Sequence, residues 1–99
     1  MKKLLLGLVL LSSSVIAQEE VIDKTKSCES ISNLAKQVMI NRQSNVAMSK
    51  MVNIFKKEDG LTFLVVMAYE QPRFSTVEYQ TKAADDFANE IYMLCYTAK

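Results

Sequence analysis

From residue 27 onward the apolar side chains fall into a helical rhythm. Cys28, Ile31, Leu34, Ala35, Val38 and Met39 recur at steps of three and four, which places them on one face of an α-helix. Thr25 or Ser27 is the expected N-cap, and Glu29 in the first turn suits the positive end of the helix dipole. The series predicts a helix to about Arg42 or Gln43. Ser44-Asn45 then breaks it, with Asn45 best suited to a left-handed conformation. A second, shorter series of Val46, Met48, Met51, Val52 and Phe55 stops at the polar turn Lys56-Lys57-Glu58-Asp59-Gly60. Leu61 to Ala68 carries β-branched residues and no clean period. A strand here would find no second strand to pair with, leaving its edge groups unsatisfied. The stretch therefore reads as a fully buried helix of about three turns ending before Pro72. Ser75-Thr76-Val77-Glu78 matches a capping box and predicts a last helix running to about Tyr96. Its expected buried face is Ala84, Phe87, Ala88, Ile91, Leu94 and Cys95, with Glu78 and Lys82 paired at i,i+4 on the outside.

The first seventeen residues follow a different rule. Met1-Lys2-Lys3 is a positive start, Leu4 to Leu11 is almost wholly apolar, and Ser12 to Ala17 supplies short residues before a cut. This is the layout of a secretory signal. An uncleaved membrane anchor is the competing reading, but the apolar run falls short of the about 20 residues a bilayer requires. Cleavage after Ala17 leaves 82 residues and, with Lys2 and Lys3 gone, moves the formal net charge from +1 to −1. The expected organisation is a signal over 1–17, a flexible lead-in over 18–26 and one domain over 27–99. The expected location is the periplasm, with full secretion as the alternative.

Export brings thiols into an oxidising compartment, and two cysteines allow one intramolecular pairing, Cys28 to Cys95. A redox-active pair would more commonly be spaced as C-x-x-C. Closing a loop of about 70 residues is worth roughly 4 kcal/mol, a large share of what so small a domain can muster. Two glycines and one proline in 99 residues are too little punctuation for a turn-rich sandwich or barrel. The expected fold is all-α, a small bundle of about four helices, with the first and last antiparallel and joined by the disulfide.

Composition narrows the chemistry. No histidine occurs, so most triads, proton shuttles and metal sites lose their usual member. Asp85 and Asp86 are adjacent and diverge by about 100° on a helix, so they make no close carboxylate dyad. There is no calcium loop, zinc spacing, P-loop or dinucleotide fingerprint. The expectation is therefore no enzyme, no cofactor and no metal. Basic residues are scattered apart from the doublet Lys56-Lys57, which argues against nucleic acid and against a polybasic membrane patch. Five methionines follow residue 17. They fill irregular core gaps or line an adaptable groove, with Met48 and Met51 the expected exposed pair. Met48-x-x-Met51 is also the only hint of thioether copper binding.

Tyr69-Glu70-Gln71-Pro72-Arg73-Phe74 is the most distinctive loop. Tyrosine, arginine and a proline-stiffened backbone are the ingredients of a binding hot spot. The alternative is a connector in which Tyr69 and Phe74 tuck into the core while Arg73 caps a helix end. Arg42-Gln43 at the other helix junction carries the same two readings. The candidate partner-binding residues are thus Tyr69, Arg73, Phe74, Arg42, Gln43, Met48 and Met51.

Cys28 with Met39-x-x-Arg42-Gln43, then Ala68-Tyr69-x-x-Pro72-Arg73-Phe74, then Phe87-x-x-x-Ile91-Tyr92-x-x-Cys95 resembles a group of small exported proteins of proteobacteria and their phages. That resemblance implies an exported, helical, disulfide-linked chain and adds no activity. Cys28-Glu29 near the start of the fold is also similar to the Cys-Glu pair of HdeA-type periplasmic acid-stress chaperones, which are likewise short, helical and singly bridged. Cys95 lies near the chain end here, against mid-chain in those proteins. The function expected first is a non-catalytic periplasmic module that binds another envelope protein, of inhibitor, immunity or phage-exclusion type. The alternatives are an acid-activated chaperone, opened as its eleven carboxylates neutralise, and an exported structural protein without a dedicated ligand.

Overall fold

The structure, a computed structural model, describes residues 25–57 and 60–98. The signal over 1–17 and residues 18–24 of the lead-in lie outside the described residues. Helix α1 covers 25–43, followed by α2 (Met48–Phe55), α3 (Thr62–Glu70) and α4 (Val77–Thr97). These four helices make up 79% of the described residues, among which no strand occurs.

Helix α1 buries Cys28, Ala35, Val38 and Met39, four of the six positions on the predicted stripe, while Ile31 is half-buried and Leu34 is exposed at the edge of that face. It is already helical at Thr25 and Lys26, which the sequence reading assigns to the lead-in, so Ser27 lies inside the helix and is not its cap. Thr25, Lys26 and Ser27 include no glycine or proline to keep this first turn from forming. At its other end α1 closes as a Schellman motif. Val46 N–H donates to Asn41 O at 3.0 Å and Asn45 N–H to Arg42 O at 3.1 Å, with Asn45 at φ 67°. The six-to-one and five-to-two bonds satisfy carbonyls that the helix end leaves open.

Helix α4 runs antiparallel to α1, and the cross-links between them fix the register. Cys28 and Cys95 are disulfide-bonded with Cα atoms 5.5 Å apart. Ser32 Oγ donates to Ala88 O at 2.9 Å, and Lys36 Nζ lies 3.1 Å from Asp85 Oδ1. As one helix ascends the other descends. Between them, Leu64, Val65 and Ala68 of α3 and Met51 of α2 complete the core with Ala84, Phe87 and Ile91. Each fully buried aliphatic side chain here contributes about 1.5–3 kcal/mol relative to exposure.

Four further expectations need correcting. Helix α3 is a helix but not a fully buried one, since Phe63 and Val66 are 41% and 43% exposed; three helices cover only one of its sides. The cap of α4 is Thr76, whose hydroxyl accepts from Tyr79 N–H at 3.3 Å, one residue beyond the Ser75 of the capping-box reading. Lys82 pairs forward with Asp86 at 2.7 Å and not back with Glu78. Leu94 is exposed, because the disulfide at Cys95 rather than packing closes that end. Glu70 is the last residue of α3, and Gln71 is extended at ψ 150°, as the residue before a proline must be.

Candidate functional site: the Gln43 corner

The two loop regions singled out in the sequence, Arg42-Gln43 and Tyr69 to Phe74, meet at one end of the bundle. The carboxyl end of α1 delivers the first, and the link between α3 and α4 delivers the second. The antiparallel register brings them together, because Gln43 ends α1 where α4 is about to begin.

Gln43 organises the corner. The Ala35–Met39 step continues onto it, so it lies on the buried face and is only 2% exposed. A buried amide must find partners or destabilise the fold. Its Nε2 donates to Pro72 O at 2.9 Å, and its Oε1 accepts from Phe74 N–H at 2.8 Å. The side chain thus pairs with the extended segment 72–74 much as a neighbouring strand would. Nε2 also lies 3.5 Å from Met39 Sδ.

The flanking residues tighten the same link. Arg42 donates from Nε and Nη2 to Gln71 O at 3.3 and 3.1 Å, and its guanidinium lies 5.2 Å from the Tyr69 ring centroid. Arg73 Nε donates to Gln43 O at 3.1 Å, placing a cation on the negative end of α1. Gln80 Nε2 donates to Phe74 O at 2.7 Å, and the Phe74 ring lies 6.0 Å from that of Tyr79. Tyr69 hydroxyl donates to Val46 O at 2.5 Å. Burial raises the Tyr69 pKa above its ordinary value of 10.0, and the nearby Arg42 charge partly opposes the rise.

These contacts include features of both sequence readings. Arg73 caps a helix end and half-buried Tyr69 packs against the core, as a connector would. Arg73 and Phe74 nonetheless remain exposed, and the terminal nitrogens of Arg73 have no partner among the described residues. A guanidinium fixed through Nε and open at its fork suits a carboxylate. Met48 and Met51 do not form an exposed pair. Met48 is 40% exposed, whereas Met51 is 3% exposed in the core, 3.5 Å from Asn41 Nδ2. Three residues apart they share one side of α2, but Met48 is the first residue of the helix and only Met51 reaches the core.

Sequence reading overlooked Gln80 and took Asp86 and Glu90 for a solvated face of the last helix. Beside the loop, α4 and α1 enclose a recess of about 150 Å³ that includes Met39, Phe74, Phe87, Asp86 and Glu90 in its walls. A second recess of about 130 Å³ lies between Ile40, Ser44, Val77 and Gln80. Among the described residues no group of three or more acidic or cysteine side chains is placed to hold a metal ion, and no helix is long and apolar enough to cross a membrane. No family model, curated protein or solved structure matches the chain.

Proposed function

We propose that this chain is an exported, non-catalytic module that binds another envelope protein, with the Gln43 corner as its contact surface. Inhibitor, immunity and phage-exclusion roles all belong to this class. The observation that carries the reading is the way segments 42–43 and 69–74 converge into one hydrogen-bonded surface that leaves the Arg73 fork open and Phe74 accessible at the surface. A loop already held in place loses little conformational freedom on association, which favours recognition. The Cys28–Cys95 disulfide fits an oxidising compartment, and the periplasm is the compartment we assign.

The test compares capture by the oxidised wild-type protein with capture by Arg73→Glu from envelope extract, with Lys50→Glu on α2 as the control. An envelope protein held by wild type and by the control, and reduced at least tenfold by Arg73→Glu at a temperature where thermal melts show all three proteins folded, supports the surface; the variant's melting temperature itself is expected to fall with the lost bond to Gln43 O. If every captured protein binds wild type and both variants equally, the assignment is wrong.

A further inference from the structure

The recess beside the corner has a distinct chemistry. Its floor is apolar, from Met39, Phe74 and Phe87, and its rim carries Asp86, Glu90 and Gln71. Asp86 and Glu90 are four residues apart on α4, which places their carboxylates side by side along the helix. No cation lines the recess among the described residues. Glu90 has neither an ion pair nor a hydrogen bond among them. Asp86 is engaged only by Lys82, its exposed neighbour one turn back. A volume of about 150 Å³ matches the space of about five water molecules at roughly 30 Å³ each, and a lysine side chain has five heavy atoms.

We propose that this recess receives a lysine or arginine side chain of the protein partner, its aliphatic stem on Met39, Phe74 and Phe87 and its charged head between Asp86 and Glu90. The inference rests on the protein-binding reading and names the chemistry the partner presents. A cationic residue with a long apolar stem satisfies both floor and rim: the stem covers apolar surface while the head stays at the polar edge. A purely aliphatic side chain would leave Glu90 facing apolar surface, and an acidic one would be repelled. Arg73 lies across the same loop, so the partner meets a donor fork and an acceptor pair side by side. Alternation of this kind fixes the register of an interface. Lys82 acts as an internal competitor for Asp86, and an exposed i,i+4 pair of that kind is easily displaced.

The test uses capped Gly-Lys-Gly, Gly-Leu-Gly and Gly-Glu-Gly peptides as probes, followed by two-dimensional amide NMR of the oxidised protein. The lysine peptide is expected to shift the amides of Phe74, Phe87 and Glu90 saturably, with half-saturation on the order of millimolar. Glu90→Gln weakens it about three- to fivefold, while Lys82→Gln, by freeing Asp86, tightens it about twofold. Both positions are solvent-exposed, and thermal melts confirm that the fold is intact. Equal shifts from the leucine peptide, no saturable response to lysine, or weakening by Lys82→Gln would overturn the inference. If the lysine peptide fails to seat while Arg73→Glu still abolishes capture, the recess falls and the protein-binding reading stands. If the peptide seats but no envelope protein is captured, the protein-binding reading falls, and with it the assignment of a protein as the source of the cation.

Discussion

Replacing Gln43 by glutamate tests the corner with a change of one atom type. The Phe74 N–H keeps its acceptor, but the Nε2 donor to Pro72 O at 2.9 Å becomes an oxygen. Below its pKa the introduced carboxyl group is an uncharged acid and still donates to that carbonyl. Above it, a carboxylate oxygen faces a carbonyl oxygen at a position 2% exposed. An unsatisfied buried acceptor costs about 1–3 kcal/mol, and burial of the charge raises the carboxyl pKa, each unit adding about 1.4 kcal/mol. At neutral pH the expected loss for Gln43→Glu is about 2–4 kcal/mol, or a fall in Tm of roughly 10–20 °C for a domain of this size. The sign follows from proton linkage. The folded pKa lies above the unfolded value of about 4.3, so between the two the folded state holds more protons and stability falls as pH rises. Urea unfolding of wild type and Gln43→Glu from pH 4 to 8 should give curves that meet at the acid end and diverge upward. Gln43→Ala, which removes both bonds, should instead show a loss without that slope. A glutamate variant as stable as wild type at pH 7 would refute the role of Gln43 as the clamp on segment 72–74.

Two further outcomes follow from the cross-links and from the tyrosine. Reducing the Cys28–Cys95 bridge, or replacing both cysteines by serine, frees a loop with a sequence separation of 67 and should lower stability by roughly 4 kcal/mol; thermal melts with and without reductant check this, and an unchanged Tm would show that packing alone holds α1 against α4. Tyr69 has a pKa raised by burial and donates to Val46 O only while protonated, so its contribution is complete below pH 10 and is lost as pH rises through the folded pKa. Tyr69→Phe should remove that alkaline component from the unfolding profile, and a profile identical to wild type above pH 10 would exclude it.

Helical spacing made α1 and α4 legible, because each packs through one stripe and the apolar residues count out that stripe directly. The antiparallel pairing was legible for another reason: two cysteines near opposite ends of a chain leave one bridge, and the bridge dictates direction. Helix α3 was readable as a helix only by the lack of any strand to pair with. Its exposed Phe63 and Val66 were not readable, since a run apolar on every side carries no phase. Ser75 and Thr76 can both cap a helix, and the choice between them is made by where the chain leaves Pro72, a tertiary matter. The partners of Gln43 were hidden most completely. They are backbone groups 29 and 31 residues away, and a side-chain pattern records nothing of the backbone. The signal that existed was a glutamine on the buried face of α1. Asp86 and Glu90 look like a solvated edge until Phe74 is placed beside them.

The same bonds that shape the corner also determine which substitutions can separate binding from folding. Gln43 and Tyr69 hold the loop by groups directed inward, so changing either alters the surface and the stability together. Arg73 is divided: Nε bonds to Gln43 O while the terminal nitrogens stay open, so reversing its charge removes both, and its effect on capture is read at a temperature where the variant is folded. The interior bears on the chaperone alternative in a comparable way. The disulfide persists in acid, and α1 and α4 therefore stay tethered at one end when carboxylates neutralise. The half-exposed Lys36–Asp85 pair contributes at most about 1 kcal/mol to their contact. Acid opening would have to release α2 and α3 instead, baring Met51, Leu64 and Val65, none of which is held by a titrating group among the described residues. The described core thus carries no acid-labile tether, while the polar bonds converge on one surface loop, which supports the proposed role of that loop as a contact surface.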